Sequence, residues 1–410
     1  RERDIYKIVT TFRQQITEEK YSRFVPLDEI RAKNDYNLNI PRYIDSSDSE
    51  DLQSIEAHLH GGIPDYDVDR MDRYWSVFGN LKSILFTPLR DGFYQSEMSK
   101  DDVRHAVYSD AEFSRYADSV GDAFEKWEER VNDSLREITG KTKVKELIHF
   151  LAEAILEEFQ KITLIDKYDV YQALLAYWQD VMADDVFIIV QDGYKAARET
   201  ENIVEAVKSG KNKGKEKVIG WEGKLIPRCI IVEEFFHDEQ KAIDEIEVLV
   251  SEKQSELEEM IENAEDGSVI NEVLKDSGTL DLEALKTKLK DKSLADEDLA
   301  VLKSLLSKKI QCDEYYKTLK NLRKILEEKT KKQYQKLTDE EIFELLVNRK
   351  WYYTIYDGIA ALCTTVSLNI ADRVTELAAR YEETLPVIIE KAAEYEAKVK
   401  SHLKRMGFVW

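Results

Sequence analysis

The sequence predicts a mainly α-helical protein, a multi-helical region with long coiled-coil-like helices and a small β component. Only 15 glycines and 6 prolines interrupt its 410 residues, so long helices can form. Apolar residues recur every three or four positions over much of the chain, for example at Leu147, Leu151 and Ile155. Near the C terminus two apolar series repeat every seven positions, a spacing typical of helices that pack along one another.

Changes in composition along the chain predict five segments. The acidic, serine-rich stretch DSSDSEDL breaks the helical pattern and is typical of a linker. From about Val232 onward two long helical patterns flank a charged stretch, which predicts an antiparallel arm with a variable, solvated tip. The five expected segments are the C-terminal end of a first domain, residues 1–44; a linker, 45–65; a helical domain with a small β-hairpin, 66–235; the antiparallel helical arm, 236–335; and C-terminal helices, 336–410.

The first segment begins with an amphipathic helix over residues 1–20, because Ile5, Ile8, Val9 and Phe12 fall near one face. Ile16 falls near the same face.

Three places carry the predicted β structure. Alternation in YNLNIPRYI and the start of YSRFVPLDEI favour short extended segments within residues 20–44. The apolar run in DVFIIVQDGY favours a strand near 186–190. The stretch KVIGWEGKLIP predicts a hairpin near 217–227, with Gly220 and Gly223 close to its turn.

The charge restricts the partners that the whole surface can bind. A net charge of -22 and a pI of about 4.9 repel phosphates, so nucleic acid can meet this chain only at a local basic patch or through basic partners. The stretch SGKNKGKEK offers such a patch or, alternatively, is a flexible solvated loop. It is not a nucleotide-binding loop, because Glu216 stands where a magnesium-binding hydroxyl is needed. The candidate phosphate-facing residues are Lys208, Lys211, Lys213, Lys215 and Lys217.

Cysteine usage and hydropathy indicate the compartment. Cys229, Cys312 and Cys363 are far apart and form no CxxC pair, which argues against a zinc ribbon and a disulfide framework. A cytoplasmic location is the simplest reading. Because no run of 18 apolar residues is present, we expect no membrane association.

The stretch NDYNLNIPRY, Asn34 to Tyr43, contains residue types used by adenine methylases to hold a flipped base. Its spacing is wrong, because Ile40 separates Asn39 from Pro41 and the chain has no two adjacent prolines. No two glycines are separated by a single residue either, so a glycine-rich methyl-donor loop is absent. We therefore expect no catalytic, cofactor-binding or metal residues in this chain, and an extended closing segment at NDYNLNIPRY.

The stretch HLHGGIP allows two readings. His58 and His60 could touch a metal if the segment were a strand, although no third ligand is evident. We favour a helix end, with Gly61 and Gly62 terminating it and Pro64 following.

The C-terminal run carries the two seven-residue series, one through Tyr381, Ile388 and Tyr395 and the other through Leu385, Ala392 and Val399. Pro386 falls inside the run and should start a new helix or kink it. The combined stripe is our candidate surface for a partner helix, or else it is internal core. Its residues are Tyr381, Leu385, Ile388, Ala392, Tyr395 and Val399.

Several longer phrases resemble the C-terminal half of the methylation (M) subunit of type I restriction-modification systems. They are YSRFVPLDEIRAKNDYNLNIPRYID, HLHGGIP, YDVYQALLAYWQDVMADDVFIIVQDGY, WEGKLIPRCIIVEEFF, LVNRKWYY and the terminal RVTELAARYEETLPVIIEKAAEYEAKVKSHLKRMGFVW. They span most of the chain outside residues 262–335. The resemblance implies that residues 1–44 are the end of an adenine-N6 methylase domain, downstream of its catalytic motif.

The resemblance also implies partners. In that family the methylase domain takes its methyl group from S-adenosylmethionine, and the helical remainder is associated with holding the specificity (S) subunit and closing around DNA. We expect this chain to assemble with the S subunit, the restriction (R) subunit, a second M subunit and, through the complex, DNA. It should not be catalytic alone, because the donor loop and catalytic motif are missing. One alternative is a stand-alone helical scaffold that self-associates through the arm at 240–335, and another is an unrecognised hydrolase.

Overall fold

The computed structural model describes residues 1–46, 53–206, 216–265, 267–275, 278–291 and 294–408. Over these residues the protein is mainly α-helical with a small sheet component, as predicted. The helices are α1 (Glu2–Gln14), α2 (Leu27–Ala32), α3 (Ile55–His60), α4 (Asp65–Asp69), α5 (Asp72–Trp75), α6 (Leu81–Leu85), α7 (Lys100–Ser109), α8 (Ala111–Arg136), α9 (Val144–Glu158), α10 (Lys167–Tyr177), α11 (Ala183–Asp192), α12 (Arg228–Phe235), α13 (His237–Glu262), α14 (Leu282–Lys288), α15 (Asp296–Tyr334), α16 (Asp339–Phe343), α17 (Tyr353–Glu382) and α18 (Leu385–Arg405).

The strands are β1 (Ile63–Pro64), β2 (Thr87–Arg90), β3 (Phe93–Gln95), β4 (Thr200–Ala206) and β5 (Glu216–Gly223). Two π-helical segments, Trp178–Met182 and Glu344–Tyr352, continue neighbouring α-helices without a break. The chain forms two compact units. The first contains Arg1–Val190 and Trp351–Trp410, and the second contains Gln191–Lys350.

The core of the first unit is built on α7, α8, α9, α10 and α17. Helix α8 shows why: Phe113, Val120, Trp127 and other buried residues recur on one face over its whole length. It begins where the carboxylate of Asp110 accepts hydrogen bonds from the backbone N–H groups of Glu112 and Phe113. The indole N–H of Trp127 donates to the carbonyl of Leu151 at 3.0 Å, which satisfies this polar group inside the core.

A small antiparallel sheet in the order β1-β3-β2 lies in the same unit. Ile63 pairs with Tyr94, and Pro64 pairs with Phe93. Within the predicted linker, α3 buries Ala57 and β1 buries Ile63, so this part of the chain contributes to the core.

The second unit contains an antiparallel pair of long helices, α13 and α15. Successive side-chain hydrogen bonds between the helices join Glu239 to Lys329, Glu247 to Arg323 and Gln254 to Tyr316. Residue numbers increase along α13 while those of the partners on α15 decrease, so the two helices are antiparallel. The buried residues between them repeat every seven positions. They are Ile243, Val250 and Leu257 on α13, and Leu305, Cys312, Leu319 and Leu326 on α15.

The sequence predicts a variable, solvated tip for this arm, and the described residues show that the tip is not fully solvated. Leu257, Val273, Leu285 and Leu302 form a separate hydrophobic cluster there, together with neighbours on both sides. The many charged residues of this stretch led to the prediction of a solvated tip. A small core needs only a few apolar residues at helical spacing, and these are present.

The predicted strand near 186–190 is wrong, because these residues lie in α11. Val186 and Ile189 are buried one helical turn apart. A short apolar run does not distinguish a buried strand from a buried helix, and here the preceding helix continues through the run.

The predicted hairpin near 217–227 is also wrong in its pairing. Residues 216–223 form a single strand, β5, which pairs along its length with β4. The connection at 207–215 lies outside the described residues. Gly223 therefore ends a strand instead of forming a turn, and it lies against the hydroxyl of Tyr334 and the carbonyl of Ile226.

No strand forms within residues 20–44, all of which the structure describes. An isolated bridge joins Glu18 to Ser22, and the rest consists of turns, α2 and a 3-10 helix at Ile40–Arg42. Asp35 and Tyr36 both have positive φ, a conformation that interrupts any extended segment.

One continuous helical run in the described part of the chain, Asp339–Glu382, is long and apolar enough by composition to cross a membrane. Core helices of soluble proteins pass the same test, and α17 within this run packs against α7 and α10.

Candidate assembly interface

Helix α1 is held on α10 by polar and aromatic side chains. Arg3 forms an ion pair with Asp169, and the rings of Tyr6 and Tyr171 lie 4.8 Å apart between centroids. Burial raises the pKa of Tyr171 to about 12. This side of α1 is therefore already occupied by its own unit.

Lys7 adds to the same attachment. Its ammonium lies 2.8 Å from Glu18 and 3.4 Å from Asp166, and it sits over the ring of Tyr21 at 4.5 Å. Burial alone would lower the pKa of Lys7, but the hydrogen bonds and charges of the two carboxylates outweigh it and raise the pKa.

The opposite face of α1 is apolar and exposed. Ile5 and Ile8 are each 59% exposed, and Phe12 is 83% exposed. With Val9 they occupy one stripe of the helix, the stripe that in an ordinary surface helix faces the core. The predicted helix is present, but it ends at Gln14 instead of extending to residue 20, and its apolar face is exposed.

A groove of about 730 Å³ continues this surface beside α1. Apolar side chains from α1 and from the segment after it line much of the groove, including Ile8, Phe12, Ile16, Phe24 and Ile44. We call the exposed set the N-terminal apolar face. It consists of Ile5, Ile8, Val9, Phe12, Phe24, Leu27, Tyr36, Leu38 and Ile40.

The stretch NDYNLNIPRY forms a rim of turns beside this face, and it is not extended as predicted. The side-chain oxygen of Asn37 accepts a hydrogen bond from the backbone N–H of Asn39 at 2.9 Å. The hydroxyl of Tyr43 donates to the carbonyl of Asn37, and Pro41 starts the 3-10 helix. These contacts hold the turns of this stretch in place.

The helix-end reading of HLHGGIP is confirmed. Helix α3 ends at His60, and Gly61 and Gly62 follow with φ of 72° and 91°. His58 contacts Gln53 and stacks against Tyr381 instead of facing a metal site. Across the described residues no group of three or more His, Cys, Asp or Glu side chains could hold a metal ion.

A side chain added at Gly62 would meet Leu89 and Phe93, so the space beside this glycine is filled by the chain itself.

Helix α18 carries five of the six residues of the predicted partner stripe. It begins at Leu385 with Pro386 in its first turn, as expected, and it buries none of its side chains. Leu385 and Ile388 are about half exposed, while Ala392, Tyr395 and Val399 are exposed along the same stripe. Lys391 and Lys398 flank the stripe one heptad apart.

Tyr381, the sixth residue, does not belong to that surface. It lies at the end of α17, is 2% exposed, and donates a hydrogen bond to the buried Asp67. Burial and this hydrogen bond together raise the pKa of Tyr381. The break at Thr384 separates the two helices, so the seven-residue repeat in the sequence crosses a helix boundary.

The candidate phosphate-facing lysines lie mostly outside the described residues. Lys208, Lys211, Lys213 and Lys215 fall in the undescribed connection, and Lys217 is exposed on β5. Because Ala206 pairs with Glu216, the two ends of that connection are adjacent.

The residues that sequence reasoning missed are the exposed apolar ones after α1, such as Phe24, Leu38 and Ile40. The sequence did contain an indication of this exposed surface, because these apolar residues lie in a stretch that has neither helical nor strand periodicity.

Comparison with known proteins adds one match. Residues 1–52 match the family described as N-6 DNA methylase. No curated protein and no solved structure matches the chain significantly. The match covers the N-terminal apolar face, so this part of the chain is similar to N-6 DNA methylases, a family of adenine DNA methyltransferases.

Proposed function

We propose that this chain is the C-terminal assembly region of the M subunit of a type I restriction-modification DNA methyltransferase. Its parent transfers a methyl group from S-adenosylmethionine to adenine N6. The chain itself holds other subunits and is not catalytic alone. The proposed partners are the S subunit, the R subunit and a second M subunit, with DNA bound through the assembled complex in the cytoplasm.

The observation that carries this proposal is the N-terminal apolar face. Ile8, Phe12 and Phe24 of this face line one groove, and exposed apolar residues gathered in this way mark a site that another structure covers. Because the face lies within the methylase-like residues 1–52, we infer that the remainder of an N-6 methylase domain covers it. Residues 1–46 would then link that domain to the helical region.

Helix α18 supports the assembly role. A long helix gains most of its stability from packing its apolar stripe. The start of α18 contacts α3, but Tyr395 and Val399 farther along the stripe remain exposed. We assign the stripe to a helix of the S subunit.

The lysine-containing connection between β4 and β5 takes the role of a phosphate-facing element in this proposal. Lys217 on β5 and the four lysines before it concentrate positive charge in an acidic chain, as contact with DNA phosphates requires.

The test is co-expression of this chain with the S subunit. Replacing Ile388 and Val399 with Asp should abolish co-purification, because two charges then lie in the apolar stripe. The matched control replaces Ala397 and Ser401 with Asp, which adds the same charge on the opposite, exposed face of α18. Retained co-purification with the stripe variant would contradict the assignment.

Absence of catalysis is tested separately. The purified 410-residue chain should show no binding of S-adenosylmethionine by calorimetry and no methyl transfer to duplex DNA. Methylation by this chain alone would refute the proposal. A dimer that persists without the S subunit and dissociates when the 240–335 arm is deleted would instead favour the scaffold alternative.

A further inference from the structure

The basal half of α15 is strongly basic in an otherwise acidic protein. From Lys317 to Lys332 this helix contains seven Lys or Arg residues and two Glu residues, a net charge of +5 in a chain of -22. Charge concentrated on one helix against the overall balance raises the question of what neutralises it.

Some of these charges hold the arm together. Arg323 pairs with Glu247, and Lys329 pairs with Glu239 at 2.8 Å, both across to α13. Lys331 pairs with Glu327 within α15 at 3.0 Å. These residues therefore have a structural role that needs no further partner.

A second set faces away from α13. Lys317, Lys320 and Lys324 are spaced i, i+3 and i+7, so they share one side of α15, whereas Leu319 and Leu326 are buried on the other side. In the described part of the chain Lys317 and Lys320 have no ion-pair partner, and Lys324 comes no closer than 4.0 Å to Glu328.

This arrangement is unfavourable for the isolated protein. Like charges three or four positions apart on a helix destabilise it. Lys324 has the 4.0 Å contact with Glu328, but Lys317 and Lys320 gain no compensating ion pair in the described part of the chain, so the face is better explained by a ligand that carries negative charge.

The shape of the surface fits an extended polyanion. An open groove of about 690 Å³ lies beside this part of α15. It is lined by Lys317, Lys320, Arg323 and Lys324, and also by Tyr316, Leu319 and Glu327, whose carboxylate pairs with Lys331. The ammonium groups follow a helix that rises 1.5 Å per residue, so the set spans about 10 Å. Duplex DNA carries one charge per about 1.7 Å of its axis, so several phosphates fall within this span.

We propose that the face formed by Lys317, Lys320 and Lys324 binds the phosphate backbone of duplex DNA without reading its sequence. The choice of DNA among polyanions rests on the proposed function. The contact itself rests on the charge and geometry of α15, and it would give the arm a direct role in holding DNA.

The experiment is fluorescence anisotropy with a labelled duplex of arbitrary sequence and the full chain, titrated at salt concentrations between about 50 and 200 mM. The affinity should fall linearly with salt on logarithmic axes. Changing Lys317, Lys320 and Lys324 together to Gln should weaken binding at least tenfold at the lowest salt. The slope should lessen by about 0.9 for each phosphate that the variant no longer neutralises.

The control changes Lys141, Lys145 and Lys161 to Gln, which removes the same charge from exposed positions in the first unit. It should bind like the unchanged chain. Circular dichroism of both variants reports whether they fold, and Lys320→Gln alone offers a milder variant.

Absence of DNA binding by the unchanged chain would overturn the assignment, as would equal affinities and slopes for the two triple variants. Either result leaves co-purification with the S subunit untouched, so failure of this inference and failure of the proposed function are distinguishable.

Discussion

The hydroxyl of Tyr381 donates a 2.8 Å hydrogen bond to Oδ2 of Asp67, a side chain with no exposed surface. The bond joins the end of α17 to α4, although more than 300 positions separate the two residues. Tyr381 thereby closes the first unit instead of extending the α18 stripe.

Tyr381→Phe should lower the free energy of unfolding by about 2 kcal/mol, because the variant cannot donate a hydrogen bond to the buried carboxylate. It should leave S-subunit binding unchanged in the folded protein. Urea denaturation measures the first effect, and co-purification measures the second. Tyr395→Phe on exposed α18 is the control and should change stability by less than about 0.5 kcal/mol. Equal stability of the two variants would contradict the structural role of Tyr381.

Gly223→Ala should destabilise the second unit by about 2 kcal/mol or more, because a methyl group there would overlap the carbonyl of Ile226 and the hydroxyl of Tyr334. That hydroxyl donates to the same carbonyl at 2.7 Å, so neither atom can move freely. Gly220→Ala on the same strand is the control, since its added carbon would lie 3.9 Å from Ile203. Thermal unfolding of both variants measures the effect, and the Tm should fall for Gly223→Ala but change little for Gly220→Ala. A tolerated Gly223→Ala would show that this packing is looser than described.

Glu128 on α8 predicts a pH-dependent stability. Burial, with a smaller contribution from Glu125, raises the pKa of Glu128 to about 7 from its ordinary value of 4.5. Because the pKa is raised in the folded protein, Glu128 lowers stability as the pH rises from about 4.5 through 7, and the decrease is complete above that range.

Glu128→Gln should therefore stabilise the protein at pH 8 but have little effect at pH 4.5. Glu128 is partly exposed, so solvent screening reduces the expected gain to about 1 kcal/mol. The measurement is the difference in Tm between variant and parent at the two pH values. Glu129→Gln, one residue along and exposed, is the control. A gain that is the same at both pH values would contradict the titration.

The N-terminal apolar face predicts an unusual tolerance to polar substitution. Ile8→Ser and Phe12→Ser should change the unfolding free energy by less than about 0.5 kcal/mol, because both side chains are exposed. They should also reduce binding of a hydrophobic dye and self-association in light scattering. Val120→Ser in the buried stripe of α8 is the contrasting variant and should cost about 2 kcal/mol or more. A comparable cost at Ile8 would show that α1 packs as core.

Much of the helical architecture could be predicted from the sequence, because it rests on local patterns. Low glycine and proline content favours long helices. The heptads through Ile243 and Leu319 and the helix start at Pro386 are each determined by residues within a few helical turns. The end of α3 at Gly61 and Gly62 was predictable for the same reason.

Some of the failures have a non-local cause, and others come from where the neighbouring helices continue or end. The partner of β5 is β4, and the connection between them hides the pairing from any short window. The run at Val186 and Ile189 became helix because the preceding helix and its π-helical turn continue into it. Helical periodicity identifies the apolar face that contains Phe12, but it does not show which element, if any, packs on that face. Tyr381 fits the seven-residue series through Ile388 and Tyr395, but α17 ends between Tyr381 and Leu385, so Tyr381 does not belong to α18.

The attachment of α1 has a consequence for binding. Arg3, Tyr6 and Lys7 already fix the helix on its own unit, so its apolar stripe is presented in one orientation before any partner arrives. A partner that docks on Ile5, Ile8 and Phe12 orders no backbone there and spends little conformational entropy. Under the proposed function, this preformed stripe is the surface on which the methylase domain completes its core.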